Sequence, residues 1–280
     1  MFKVKNVLTI IFLAFLTLFF SGMSSFGSEK TGAYTQEQLD YTGQDESRTP
    51  SSLNLLYTYK NLLDDSDANT YTLRGIYRRG LAPDWDMLLR LNVPLQHNNI
   101  PSADNPDGGW EVGLGDISTR LVFTKKLDDI SAVIFGVDLS FPTAEEDQFG
   151  SGKYAMTLGA GYRHFFRGIS GKTNDTFILP NIRYNFDYAG DDDRSDISEL
   201  QLVPQVTLGL PGSLDHFVTF YGGDDLRYNF DTSKWFVPLD ITYGIKLTKN
   251  SVLSVEYWYA LVDDYPLYDW KIEFAFEYFF

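Results

Sequence analysis

The sequence lacks cysteine altogether, and this absence excludes two kinds of protein. Without cysteine, the chain of 280 residues forms neither a disulfide framework nor a thiolate metal site. Basic residues are also few beside acidic ones, with 23 Lys and Arg against 38 Asp and Glu and a net charge of -15. Because such a charge repels phosphate groups, we expect no nucleic-acid partner.

Long apolar runs are nearly absent as well. The one clear run covers residues 7–20, which is short for a membrane-spanning helix of about 20 residues. It follows Lys3 and Lys5, and the small residues Ser25 and Gly27 come shortly after it. This order is typical of a secretory signal. We therefore predict that residues 1–27 are a signal peptide, cleaved after Gly27.

What the sequence does contain is alternation, most clearly in its last segment, Trp270-Lys-Ile-Glu-Phe-Ala-Phe-Glu-Tyr-Phe-Phe280. Every second position is large and apolar, which is the period of a β-strand with one apolar face. A lipid-facing strand of an outer-membrane barrel is built in this way. The pattern also resembles the C-terminal signal that the barrel assembly machinery recognises, and we assign that signal to Trp270, Phe274, Phe276, Tyr278 and Phe280.

Composition agrees with a barrel. Aromatic residues make up 16% of the chain, whereas its mean hydropathy is only -0.20. Both values fit a wall in which alternate residues meet lipid and the others do not. Residues 51–280 contain about twelve alternating segments, an even number as in single-chain bacterial barrels. The predicted fold is all-β: a closed, transmembrane, antiparallel up-and-down barrel with both termini in the periplasm.

Two features interrupt the predicted strands. Pro94, Pro180, Pro204 and Pro238 fall inside them, where proline cannot donate a ladder hydrogen bond. The segment Gly222-Gly-Asp-Asp225 divides the ninth strand. We expect a β-bulge there, and bulges or strand ends at some of the prolines.

Residues 28–50 are polar and contain few hydrophobic side chains. Such a composition is typical of a segment without a core of its own. We interpret it as a periplasmic tail. The alternative is that it folds into the barrel as a plug.

In each predicted strand, the residues between the apolar positions point to the lumen. The charged residues predicted to line it are Arg74, Arg90, Arg120, Arg163, Arg183, Arg227, Asp116, Asp138, Asp240, Lys246, Glu256 and Glu273. Isolated buried charges are costly, so these groups either pair and close the barrel or line a water-filled path. Because twelve strands enclose more space than the eight that side chains fill, we favour a narrow passage.

Two segments carry a family resemblance. Gly113-Leu-Gly-Asp-Ile-Ser-Thr-Arg-Leu121 resembles the Gly-x-Gly-Asp segment of the MetA-pathway phenol-degradation family of outer-membrane transporters. Phe141-Pro-Thr143, followed by Gly150-Ser-Gly152, resembles that family's Pro-Thr-Gly loop and Gly-rich strand start, although Ala144 stands where the family usually has Gly. The resemblance implies an outer-membrane barrel that passes small, often aromatic, molecules.

An enzyme on the same scaffold is the main alternative. A phospholipase of the twelve-stranded type needs a serine nucleophile beside a histidine base. None of His97, His164 and His216 lies in a His-x-Ser-Asn-Gly setting. We therefore predict no enzyme and no cofactor or metal, but a passive channel for small, aromatic or anionic solutes in the outer membrane of a Gram-negative bacterium. Its expected surroundings are lipid and lipopolysaccharide. A closed structural barrel is the third interpretation.

Overall fold

The computed structural model describes residues 34, 39–62, 66–102, 105–166, 176–211, 215–223, 226–265 and 267–280. The predicted signal peptide, residues 1–27, lies outside these ranges. No helix among the described residues is long and apolar enough to cross a membrane.

The chain is a succession of β-strand segments. Their bounds are β1 Ser52–Asn61, β2 Asp67–Ala82, β3 Trp85–Asn98, β4 Glu111–Leu114, β5 Ile117–Lys126, β6 Ser131–Phe141, β7 Lys153–Phe165, β8 Phe177–Gly190, β9 Ser198–Gly209, β10 His216–Phe220, β11 Leu226–Asn229, β12 Lys234–Thr248, β13 Ser251–Asp263 and β14 Trp270–Phe279. A short 3-10 helix, Asp147–Phe149, lies between β6 and β7.

These segments form a closed antiparallel wall. Both β4 and β5 pair with β3, and both β10 and β11 pair with β9 and β12, so each couple is one interrupted strand of a twelve-stranded wall. The ring closes where β1 pairs with β14, from Ser52↔Phe279 to Asn61↔Trp270. The predicted twelve-stranded closed barrel is confirmed. Closure satisfies the ladder hydrogen bonds without leaving a sheet edge.

The wall has an apolar outer face. Along β1, Leu55 is 58% exposed, whereas its neighbour Leu56 is only 5% exposed because it points inward. Aromatic rings pack together on the outside, as Tyr57 does with Tyr71 at 5.1 Å and Tyr59 with Trp270 at 5.0 Å between ring centroids. The period of two in the sequence thus separates the outer face from the lumen.

The four prolines coincide with gaps in the ladder. Pro94 of β3 lies opposite the break between β4 and β5. Pro204 of β9 and Pro238 of β12 lie opposite the break between β10 and β11, one on each side of it. Pro180 of β8 is the cross-strand partner of Pro204, and on its other side the pairing of β8 with β7 skips Leu179 and Pro180. Because a missing N–H removes no bond where the pairing with a neighbouring strand is already interrupted, the closed wall tolerates these prolines.

At Gly222-Gly223 a β-bulge was expected, but the strand is instead interrupted there, between β10 and β11. The chain leaves the strand at Tyr221, which has a positive φ of 53°. Asp224 and Asp225 of the same segment lie outside the described residues.

Candidate functional site: the barrel lumen

Two cavities lie inside the wall. The terminal-side cavity, of about 280 Å³, lies toward the barrel end where β1 begins, and the loop-side cavity, of about 420 Å³, lies toward the other end. Five wall residues line both cavities and so mark the boundary between them: Arg90, Arg120, Asp138, Thr157 and Arg183. We call Arg90, Arg120 and Arg183, together with Asp138, the arginine cluster.

The arginine cluster is held together by Asp138. Arg120 grips this carboxylate with two charge-assisted hydrogen bonds, Nε to Oδ1 and Nη2 to Oδ2, both 2.6 Å long. Arg183 reaches the same carboxylate from β8 through its Nη2. It crosses β7 at Gly159, where a Cβ atom would lie only 2.9 Å from Arg183 Cγ. Asp138 therefore joins arginines from two non-adjacent strands.

A second carboxylate, which does not belong to a strand of the wall, reaches the cluster from within the lumen. Glu46 Oε1 accepts hydrogen bonds from Arg90 Nη1 at 2.9 Å and from Arg120 Nη1 at 2.6 Å. Burial by itself raises the pKa of the Glu46 carboxyl, but the nearby guanidinium groups outweigh burial and lower that pKa to about 2. Glu46 is therefore an anion at neutral pH, and three cations face two carboxylates.

Glu46 belongs to residues 39–50, which lie inside the barrel. Within this segment the Asp40 carboxylate accepts the backbone N–H of Thr42 at 3.0 Å and that of Asp45 at 2.8 Å. From the wall, Gln205 Nε2 donates to the Gln44 carbonyl at 2.8 Å. The segment is a compact, hydrogen-bonded unit in the lumen. Together with Tyr34 it is the described part of residues 28–50, for which a periplasmic tail and a plug are the two interpretations.

An aliphatic group lies beside the arginines on the same wall. It lines the terminal-side cavity, and its members are Ile76, Leu88, Val122, Ile134 and Leu179. On three strands an aliphatic member stands two residues from an inward arginine: Ile76 from Arg74, Leu88 from Arg90, and Val122 from Arg120. In the cavity, cationic groups therefore lie next to an apolar surface.

The far side of the terminal-side cavity is acidic. Glu256 of β13 and Glu273 and Glu277 of β14 line it. Glu273 accepts a hydrogen bond from Thr58 Oγ1 at 2.7 Å, and Glu277 accepts one from Asn54 Nδ2 at 2.9 Å. Lys271 of β14 lines this cavity as well. The arginines of the cavity thus lie on β2 to β8, whereas β13 and β14 carry three carboxylates and one lysine.

The remaining predicted lumen residues divide into two groups. Arg74 lines the terminal-side cavity, and Arg227, paired with Glu199 at 3.1 Å, lines the loop-side cavity.

The second group lines neither of the two cavities and consists of Arg163, Asp240 and Lys246. Arg163 is fully buried with its Nε 3.8 Å from Asp45, Asp240 accepts the Gly223 N–H at 2.8 Å, and Lys246 lies 3.9 Å from Asp215. Parity alone does not distinguish a solvated inner residue from a packed one.

The segments that carry the family resemblance meet at one point. The Asp116 carboxylate, which follows Gly115, accepts the backbone N–H groups of Thr143 at 3.1 Å and Ser151 at 2.7 Å. Gly150 packs against it, since a Cβ atom there would lie 2.6 Å from Asp116 Oδ1. Asp116 lines the loop-side cavity and fixes residues 142–152 to the wall.

Ser131 and His164 lie in contact, but without a catalytic arrangement. Ser131 Oγ lies 3.1 Å from His164 Nδ1, on a cross-strand pair of β6 and β7. The nearby Asp128 carboxylate accepts the N–H groups of Ile130 and Ser131. A nucleophilic relay needs a carboxylate that orients the histidine ring, and this one binds the serine turn instead. Among the described residues no group of His, Cys, Asp and Glu is arranged to hold a metal ion.

The architecture is shared with solved structures. An outer membrane channel from Pseudomonas putida F1 has a TM-score of 0.64 at 13% identity, over 82% of this chain and 96% of that chain. The KdgM porin has a TM-score of 0.46 at 12% identity, over 82% and 99%. Outer membrane phospholipase A from Escherichia coli has a TM-score of 0.47 at 12% identity, over 82% and 91%.

The first of these likenesses shows a common fold. No protein-family model and no curated protein matches the sequence. The resemblance to the MetA-pathway transporter family therefore stays a prediction.

Proposed function

We propose that this chain is an outer-membrane channel for the passive uptake of small solutes. The observation that carries this proposal is a closed wall that is apolar outside and encloses two charged cavities, which meet at the arginine cluster. Export through the signal peptide, both termini in the periplasm and folding by the barrel assembly machinery belong to the same proposal. So do contact with lipopolysaccharide and the aromatic or anionic nature of the solutes.

Residues 39–50 act in this proposal as a plug that narrows the passage. Their support is the pair of hydrogen bonds from Arg90 and Arg120 to Glu46, together with the buried turn around Asp40 and Asp45. A plug held in this way lets ions pass slowly and excludes large solutes.

Ion conductance across a planar bilayer tests the channel. We expect the purified full-length protein to give small, steady conductance steps, and Glu46→Gln to enlarge them because two charge-assisted hydrogen bonds to the plug are weakened. Glu145→Gln, the same change at an exposed site in residues 142–152, should leave the steps unchanged. Absence of conductance in all three proteins would favour a closed structural barrel.

Lipid hydrolysis tests the enzymatic alternative, which the contact between Ser131 and His164 makes worth measuring. We expect fatty-acid release from vesicles that contain the protein to equal release from protein-free vesicles. Release that is lost in Ser131→Ala would make this barrel a hydrolase.

A further inference from the structure

The arginine cluster has more donors than the wall uses. Asp138 binds Arg120 and Arg183, and Glu46 binds Arg90 and Arg120. Arg90 Nε is buried and has no hydrogen-bond partner among the described residues. A guanidinium group offers five N–H donors in a fixed geometry that suits carboxylates. The cluster is therefore built to hold a carboxylate and has a donor to spare.

We propose that the arginine cluster is a binding site for small carboxylate solutes with an apolar body, and that such a solute takes the place of the Glu46 carboxylate. This inference rests on the proposed function, because it names the solute class of the same lumen.

Glu46 is the replaceable partner of the cluster. Asp138 is fixed in the middle of β6, with ladder pairs to Arg120 and Thr157 on both sides. Glu46, in contrast, reaches the cluster from a segment that is not part of the wall, and 31% of its side chain is exposed to the lumen. A solute carboxylate therefore competes with Glu46 rather than with Asp138, and its binding releases the plug from Arg90 and Arg120.

The apolar body of the solute has its own surface. Ile76 is the cross-strand partner of Arg90, and Leu88 stands two residues before it on the same inner face. A carboxylate on Arg90 therefore places the attached chain over the aliphatic group.

Binding is tested by calorimetry on the full-length protein in a neutral detergent, with three probes. Hexanoate has both features, hexanamide keeps the chain without the charge, and acetate keeps the charge without the chain. We expect hexanoate to bind more tightly than either of the others. In Glu46→Gln the affinity for hexanoate should rise about tenfold if Glu46 occupies the cluster nine-tenths of the time. Glu145→Gln is the matched control and should bind as the wild type does.

The arginine side of the site has a matched pair of variants as well. Arg90→Gln should weaken hexanoate binding, whereas Arg79→Gln, on the exposed outer face of β2, should not. Folding of each variant is checked by its heat-modifiable migration on gels. If Arg90→Gln does not fold, the hexanoate affinity of Glu46→Gln still tests the carboxylate site. Equal affinity for hexanoate and hexanamide, or an unchanged affinity in Glu46→Gln, overturns the inference.

The binding result is separable from the channel result. Conductance without hexanoate binding removes the carboxylate site and leaves the channel. Hexanoate binding without conductance in the wild type or in Glu46→Gln removes the channel and leaves the site.

Discussion

Asp138 is the residue on which the order of the arginine cluster depends. Its two oxygens bind Arg120 and Arg183, and its side chain is only 20% exposed. Without its negative charge the two guanidinium groups, from β5 and β8, would repel each other. The same carboxylate sets the position of Arg120, and hence that of the hydrogen bond from Arg120 to Glu46.

We expect Asp138→Asn to lower the free energy of unfolding by about 1.5–3 kcal/mol, the range for hydrogen bonds to charged groups. Urea titration of the protein folded in lipid vesicles measures this change through tryptophan fluorescence. Asp129→Asn, in a turn where the side chain is 76% exposed, is the control and should change stability little. Equal effects of the two substitutions would mean that water solvates the arginines and that Asp138 does not stabilise the cluster.

The sequence predicts the direction of these side chains but not their partners. Alternation alone places Arg120, Arg183 and Asp138 on the inner face, as the structure does. That Arg183 crosses Gly159 to reach Asp138 depends on the register of three strands, which alternation does not determine. Glu46 was missed as a partner because residues 28–50 have no period from which a position could be inferred.

At the scale of elements, residues 142–152 are fixed to the wall by side-chain contacts at both ends. Asp116 binds their two ends, and Phe149 lies over the backbone of β4 at Gly113. Gln96 Nε2 donates to the Phe149 carbonyl at 2.8 Å and holds the ring in place from β3. The Gly-x-Gly-Asp segment therefore has a structural reason: its glycine admits an aromatic ring, and its aspartate binds the segment that carries the ring.

Gly113→Ala tests this packing. A Cβ atom at Gly113 would collide with the Phe149 ring, so we expect a loss of about 1–3 kcal/mol in stability, as for other overpacked sites. We also expect faster proteolysis of residues 142–152. Gly136→Ala in β6 is the control, because a Cβ atom there would meet its nearest neighbours at 3.8 Å, an ordinary contact. If both variants resist protease as the wild type does, Phe149 is not what holds the segment.

The strand interruptions show what composition reveals about elements and what it leaves out. Pro204, Pro238 and Gly222-Gly223 lie far apart in the sequence, and each by itself only signals a weak strand. The structure brings them to one region of the wall, where the two prolines flank the break between β10 and β11. Single residues thus indicate where a strand is weak, whereas the break itself and its place between the two prolines are properties of the register.

At the scale of the whole molecule, closure of the barrel gives the alternating residues two separate surfaces. Twelve strands of alternating residues give an outer face for lipid and an inner face for charge. Consecutive strands stay adjacent in an up-and-down barrel, so arginines concentrated between β2 and β8 occupy one side of the lumen. The carboxylates of β13 and β14 occupy the other side, with Lys271 among them. The uneven distribution of charge around the lumen therefore follows from the order of charges along the chain.

The same closure predicts that adjacent residues respond oppositely to charge. Leu158 lies near the middle of β7 on the outer face and is 46% exposed, whereas Thr157 lines both cavities and is the cross-strand partner of Asp138. We expect Leu158→Arg to destabilise the folded barrel in lipid vesicles by about 2–4 kcal/mol, the cost of arginine facing lipid near mid-membrane. Thr157→Arg should cost less, because its guanidinium group faces the polar lumen rather than lipid. Urea unfolding of the two variants under the same conditions compares them directly. A larger cost for Thr157→Arg would show that the lumen is too tightly packed for a passage, and equal costs would contradict a lipid-facing surface at Leu158.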